Sequence, residues 1–279
     1  MGHRKSQIIG SPPFLLRSIG ARLSRVAAAT SAIMRAFLKC RRLGLLLPAL
    51  ILTLTACRST QTSSAPTDPT GEPSVNPGIN DAFLQPDLDI HQWIGRFEIE
   101  SREVFRLRES IVAELNIQPG SEIADIGAGT GLFVPYFSKA TGAEGLVYAV
   151  DIAPDFILHI DEKVAEAGLN NVISVLCTED AVELPDNSID LAFICDVYHH
   201  FEYPHSSMTS LHKALRPGGE VVLVDFKRIP GESSEWTLNH VRAGQDVFTA
   251  EIEKAGFEKI GEHPILEENY MVRFKKRVP

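Results

Sequence analysis

The first 67 residues contain no aspartate or glutamate; Asp68 is the first acid of the 279-residue chain. Ten of the 27 basic residues lie in that stretch: Arg4, Lys5, Arg17, Arg22, Arg25, Arg35, Lys39, Arg41, Arg42 and Arg58. The 17 that remain stand against all 36 acids, a formal balance of −19 for the rest of the chain. A surface so acidic repels phosphate backbones, whose binding depends on Lys and Arg releasing counterions. No nucleic acid partner is expected, and small molecules or cationic or neutral partners are favoured.

Cysteine is also scarce. Cys40, Cys57, Cys177 and Cys195 have no close spacing, which argues against a disulfide framework and a zinc knuckle. Cys177 and Cys195 end apolar runs and read as small buried hydrophobes. Long apolar runs are missing too. Leu43 to Leu54 is only about a dozen residues, short of the ~20 that a membrane-spanning helix needs.

That stretch suits the apolar core of a signal peptide, preceded by the positive Arg35, Lys39, Arg41 and Arg42. It ends in Leu54-Thr55-Ala56-Cys57, which resembles the lipobox of bacterial lipoproteins. The resemblance implies that Cys57 is lipidated and becomes the first residue of the mature chain. The domain would then sit in the cell envelope, on the periplasmic side of a membrane. An uncleaved anchor or an organellar transit peptide is an alternative for this segment, as is a cytoplasmic chain with no signal at all. Residues 1–33 read as an over-extended start, with Met34 as the initiator, or as a disordered stretch. Residues 34–57 are then the signal, residues 58–80, rich in Ser, Thr, Pro and Gly, a solvated linker, and residues 81–279 the functional domain.

Within that domain helical and strand patterns alternate. Val104, Leu107, Ile111 and Leu115 share one helical face in a mainly helical extension over 88–118, closed by Pro119-Gly120. Strands are expected at 123–126, 146–150, 172–177, 189–195 and 220–226, and a final pair at 257–261 and 269–274. Continuous apolar runs such as Leu191-Ala192-Phe193-Ile194 and Val221-Val222-Leu223-Val224 suit strands covered on both faces. The fold class is therefore α/β, with a doubly wound, mostly parallel sheet.

The chemistry centres on Asp125-Ile126-Gly127-Ala128-Gly129-Thr130-Gly131. Glycines let the backbone turn tightly from strand to helix and clear the helix N-terminus for a ligand. A dinucleotide loop reads GxGxxG, yet position 132 is Leu132. Asp125 adds a carboxylate that a pyrophosphate would avoid and a cationic ligand would seek. Asp151 closes the next strand, where a carboxylate can accept from a ribose diol.

The loop resembles motif I of the class I S-adenosylmethionine (SAM)-dependent methyltransferases. The resemblance continues through Tyr148-Ala149-Val150-Asp151, Glu179 to Pro185, Asp190 to Phe193 and Leu215-Arg216-Pro217-Gly218-Gly219. It implies a seven-stranded Rossmann-like sheet whose last strand runs antiparallel between strands five and six. It implies SAM as cofactor, with Asp125 near the methionine amino group. Gly127, Ala128, Gly129 and Gly131 form the floor, Asp151 holds the ribose and Ile152 packs on the adenine. Asp180 and the Ala181 backbone would address the adenine edge, and Asp196 the methionine side. Tyr198, His199 and His200 follow strand four and are candidates to orient or deprotonate an acceptor. His199, His200 and His205 are an alternative metal set, but no close carboxylate–histidine spacing on a helix supports it, and no metal site is expected. His240 and Arg242, two apart on a segment read as extended, are candidate substrate contacts. The leading function is methyl transfer to a small molecule, with no obligate protein partner evident. A membrane-anchored SAM- or nucleoside-binding module without turnover is the alternative, and an NAD-dependent oxidoreductase a weaker one.

Overall fold

The computed structural model describes residues 65–278. The signal segment 34–57 with Cys57, the stretch 1–33 and the first part of the expected linker lie outside the described residues. Helices α1 (Ile90–Phe97), α2 (Glu103–Arg106) and α3 (Arg108–Glu114) lead into β1 (Glu122–Ile126), α4 (Val134–Thr141), β2 (Leu146–Asp151), α5 (Pro154–Glu166), β3 (Val172–Leu176) and β4 (Ile189–Cys195). A 3-10 turn (Tyr198–His200) precedes α6 (Pro204–Ala214), β5 (Leu215–Phe226), α7 (Glu235–His240), α8 (Gln245–Lys254), β6 (Phe257–Glu262) and β7 (Asn269–Lys276). The strands form one seven-stranded sheet in the order β3-β2-β1-β4-β5-β7-β6. β7 runs antiparallel between β5 and β6; the other pairings are parallel. This is the doubly wound sheet expected from the alternation of elements.

The sheet divides its side chains strictly by parity. Ala192 and Ile194 of β4 join Val221 and Leu223 of β5 in one core with Leu211 of α6 and Phe248 of α8. Leu191, Phe193, Val222 and Val224 face the opposite core with Ile111 of α3 and Phe137 of α4. Both faces are covered, so the strands read as unbroken apolar runs rather than alternating ones. Val221, Val222, Leu223 and Val224 are each fully buried, and burying such a side chain contributes about 1.5–3 kcal/mol.

Two expectations change here. The helical extension is not one rod but three short helices, because residues 98–102 break the ladder before α2. Residues 65–80, expected as part of a solvated linker, are held against the domain by polar contacts. The Asp68 carboxylate accepts from the backbone N–H groups of Thr70 and Glu72 and from the Ser206 hydroxyl. The Glu72 carboxylate accepts from the N–H groups of His205 and Ser206, 3.0 and 2.7 Å away. These belong to the first turn of α6, whose N–H groups have no partner within the helix. Glu202 in turn accepts from Ser74 Oγ and Gly78 N, and Asn80 donates to the His200 carbonyl. The segment is thereby fixed beside the loop that follows β4.

Candidate functional site

The carboxyl ends of β1, β2, β4 and β5 open into a cavity of about 1180 Å³. This is the crevice where ligands bind in open α/β sheets. The glycine loop shapes its floor. Gly127 has φ +73°, and a Cβ there would lie 2.4 Å from Val197 Cγ1, so both the backbone conformation and the space demand glycine. Gly131 is different. It does not line the cavity; an added Cβ would meet Ile160 of α5 at 3.1 Å, so its role is helix–sheet packing. Lys163 donates to the carbonyls of Thr130 and Gly131 at 3.1 and 3.2 Å, and Thr130 donates to Glu98, which pins the loop from outside.

Asp125 and Asp151 are both buried at this floor. The Asp125 Oδ2 atom has no hydrogen-bond partner. Burial, and then the neighbouring Asp151 charge, push its carboxyl up to about 7. Asp151 accepts from Gly129 N at 2.8 Å and from Ala153 N at 2.9 Å. Burial raises it to about 6 against the opposing pull of those N–H groups. A carboxylate has about four lone-pair sites, so Asp151 can still accept from a diol. Ile152 and Ala181 line the same cavity, as do Ala128 and Gly129. Trp93, Phe97 and Phe156 form an aromatic wall with ring centroids 5.3–6.4 Å apart.

Asp180 departs from expectation. It accepts from the Thr178 hydroxyl at 2.7 Å and lines a separate shallow depression, not the main cavity. Its side chain turns back on the loop, leaving Glu179 and Ala181 at the cavity wall. Asp196 does line the cavity. Its carboxylate is ion-paired with Arg102 and accepts from Asn269 Nδ2 at 2.6 Å. Burial lifts it to about 6 even with Arg102 opposing. Arg102 and Asn269 carry no sequence signal of their own and were not anticipated.

The residues after β4 separate into two groups. Tyr198 is fully buried and packs against Phe201 and Phe248 at 5.0 Å. It is a core residue and cannot touch an acceptor. Arg242 belongs with it. Its guanidinium makes a two-pronged pair with Glu251 at 2.9 and 2.6 Å and lies 4.5 Å from the Phe248 ring centroid. The segment expected to be extended is helix α7, started by Ser234, whose side chain accepts from Thr237 N. His240 ends that helix facing the cavity, whereas Arg242, two residues on, points into the core.

His199, His200 and His240 all line the cavity. His199 Nδ1 lies 2.8 Å from Asp225 Oδ1, and both side chains are buried. Asp225 also accepts from the His199 backbone N–H at 3.2 Å. It sits near the carboxyl end of β5, and an acid at a strand end was the one signal that marked it. His200 Nε2 and His240 Nε2 are 3.2 Å apart. Burial, with the neighbouring imidazoles adding to it, lowers His200 to about 2 and lowers His240 as well. His205 stands apart from the cluster, in the first turn of α6. Cys177 and Cys195 are free, and burial raises both thiols, so neither is a nucleophile at neutral pH.

Residues 124–223 match the family model described as a methyltransferase domain. A SAM-dependent methyltransferase from Aquifex aeolicus superposes with TM-score 0.60 at 25% identity, covering 67% of this chain and 98% of that one. Residues 124–223 form a class I SAM-dependent methyltransferase domain. The cofactor of this methyltransferase domain is SAM, and the site fits it: Gly127, Ala128 and Gly129 line the cavity floor, and the buried Asp125 oxygen without a hydrogen-bond partner suits a cationic amino-acid end. The ubiquinone/menaquinone biosynthesis C-methyltransferase UbiE of Burkholderia mallei is 27% identical over 118 residues, 42% of this chain and 48% of that protein. The chain thus spans about half the length of the curated relatives it matches. The [4+2]-cyclase SpnF shares the fold with TM-score 0.53 at 15% identity, over 62% of this chain and 81% of that one.

Proposed function

We propose that the chain transfers the methyl group of SAM to a small-molecule acceptor bound in the same cavity. The observation that carries this reading is the buried Asp125 carboxylate with an unpartnered oxygen beneath the glycine loop. A buried anion without a partner costs several kcal/mol as an order of magnitude, and the ammonium of a methionine moiety compensates it. A pyrophosphate would worsen it, which argues against a dinucleotide.

When bound, SAM supplies an electrophilic methyl carbon and a neutral thioether leaving group. The chain's own residues do the rest. Asp125 fixes the amino-acid end, Asp151 the ribose, and Ile152 with the aromatic wall excludes water from the adenine side. Holding the reactants in line lowers the barrier by making the encounter intramolecular. The volume of about 1180 Å³ exceeds the roughly 300–1,000 Å³ of a single-ligand pocket, which leaves room for an acceptor next to the cofactor. His199, His200 and His240 form the wall on the acceptor's side of the cavity.

The test is a panel of quinol, phenol, thiol and amine acceptors incubated with SAM and the full chain, read as S-adenosylhomocysteine formed. Acceptor-stimulated product with at least one class is expected. SAM binding with no product from any class would reduce the domain to a binding module and overturn the proposal.

We also propose the cell envelope as its location, through lipidation of Cys57. Support comes from the sequence of residues 34–57; among the described residues no helix is long and apolar enough to cross a membrane.

A further inference from the structure

One ring nitrogen from each of His199, His200 and His240 lies within 4.8 Å of those of the other two. We propose that these histidines bind one divalent transition-metal ion, with Asp225 as the outer carboxylate that aims His199. The three come from separate places: two from the 3-10 turn after β4, and the third from the C-terminal end of α7.

A tetrahedral zinc with Zn–N bonds of about 2.0–2.1 Å places neighbouring ligand nitrogens about 3.3 Å apart. The His200 and His240 Nε2 atoms already stand 3.2 Å apart. His199 Nδ1 is engaged by Asp225 at 2.8 Å, leaving Nε2 as its coordinating atom. A carboxylate holding the far nitrogen of a ligand histidine fixes its tautomer and raises its basicity. The other two rings are held as well. Trp236 stacks on His240 with centroids 4.6 Å apart, and the edge contact of Phe83 with His200 has centroids at 5.3 Å. The remaining closure falls to His240, the more accessible ring at the end of a short helix.

Three nitrogen donors leave a fourth position open, the arrangement of a catalytic rather than a structural zinc. That position opens on the cavity shared with the glycine loop. Resting on the methyl-transfer reading, the ion would bind an acceptor oxygen or sulfur. The O–H or S–H proton is released to solvent, the anion attacks the SAM methyl carbon, and the methyl–sulfur bond breaks to leave S-adenosylhomocysteine. Metal binding itself does not rest on that reading.

The experiment uses the untagged full chain, stripped with chelator and titrated with Zn2+ against a chromophoric chelator, with Co2+ absorption as a second probe. One tight equivalent and a raised melting midpoint are expected. Asp225→Asn should weaken binding about 10–100-fold, and His240→Ala by at least as much. His240→Asn repeats the measurement should the alanine variant fold poorly. A parent chain that takes up no Zn2+ or Co2+, or variants that bind like the parent, would overturn the proposal. SAM titration of the same samples reads the cofactor site separately, so the two readings can fail independently.

Discussion

Asp125 and Asp151 are two carboxylates that a folded chain would not bury together without a reason. Burial favours the protonated Asp125, whose value rises from 3.8 to about 7. The folded state therefore holds this proton more tightly than the unfolded state does. Its contribution to stability is complete below about pH 4 and is lost as pH rises through about 7. SAM binding has the opposite preference, because the ammonium needs the ionised form. SAM affinity should fall as pH drops below about 7, by up to about tenfold per unit for one linked proton. In Asp125→Asn that slope should flatten, the affinity should fall, and the cofactor-free protein should melt higher at pH 8. Calorimetry and thermal melts from pH 5.5 to 8.5 check all three. Both acids were legible in the sequence, since the loop and the strand end fix their places. Tyr198 and Arg242 were not read correctly. Proximity in sequence to His199 and His240 said nothing about which side of the sheet their side chains would take.

At the scale of elements, α6 depends on a carboxylate more than a hundred residues earlier. Its N-cap residue, Tyr203, has no side-chain cap, and Glu72 supplies the missing acceptor. Glu72→Ala should cost about 1 kcal/mol, a fall in Tm of about 2–4 °C for a domain of this size, measurable by calorimetry. The strands were legible because their apolar runs are continuous, a pattern that short surface elements lack. Residues 65–80 were missed because polar groups hold them: Asp68, Glu72 and Glu202 bind backbone N–H groups and hydroxyls, and composition alone reads such residues as solvated. Helix α7 was missed although Ser234, three residues before Thr237, is an ordinary start signal. The same helix brings His240 to a cluster that the spacing of His199, His200 and His205 could not suggest.

For the whole molecule, topology follows from the order of the apolar runs, and the antiparallel β7 falls where the family resemblance implied. The acidity of the domain, against the acid-free first 67 residues, divides the chain into two electrostatic parts. If Cys57 carries a lipid anchor, Cys57→Ser should move the protein from the membrane to the soluble fraction; a variant that still sediments with membranes contradicts the anchor. The central claim, that the cavity at the carboxyl ends of the strands holds a sulfonium nucleoside, is tested most directly by isothermal titration of the full chain with SAM and with NAD. One SAM site and no NAD binding are predicted, with Asp151→Ala weakening SAM by about 1–3 kcal/mol, roughly 5- to 150-fold. NAD bound in preference to SAM, or SAM affinity untouched by Asp151→Ala, would contradict it.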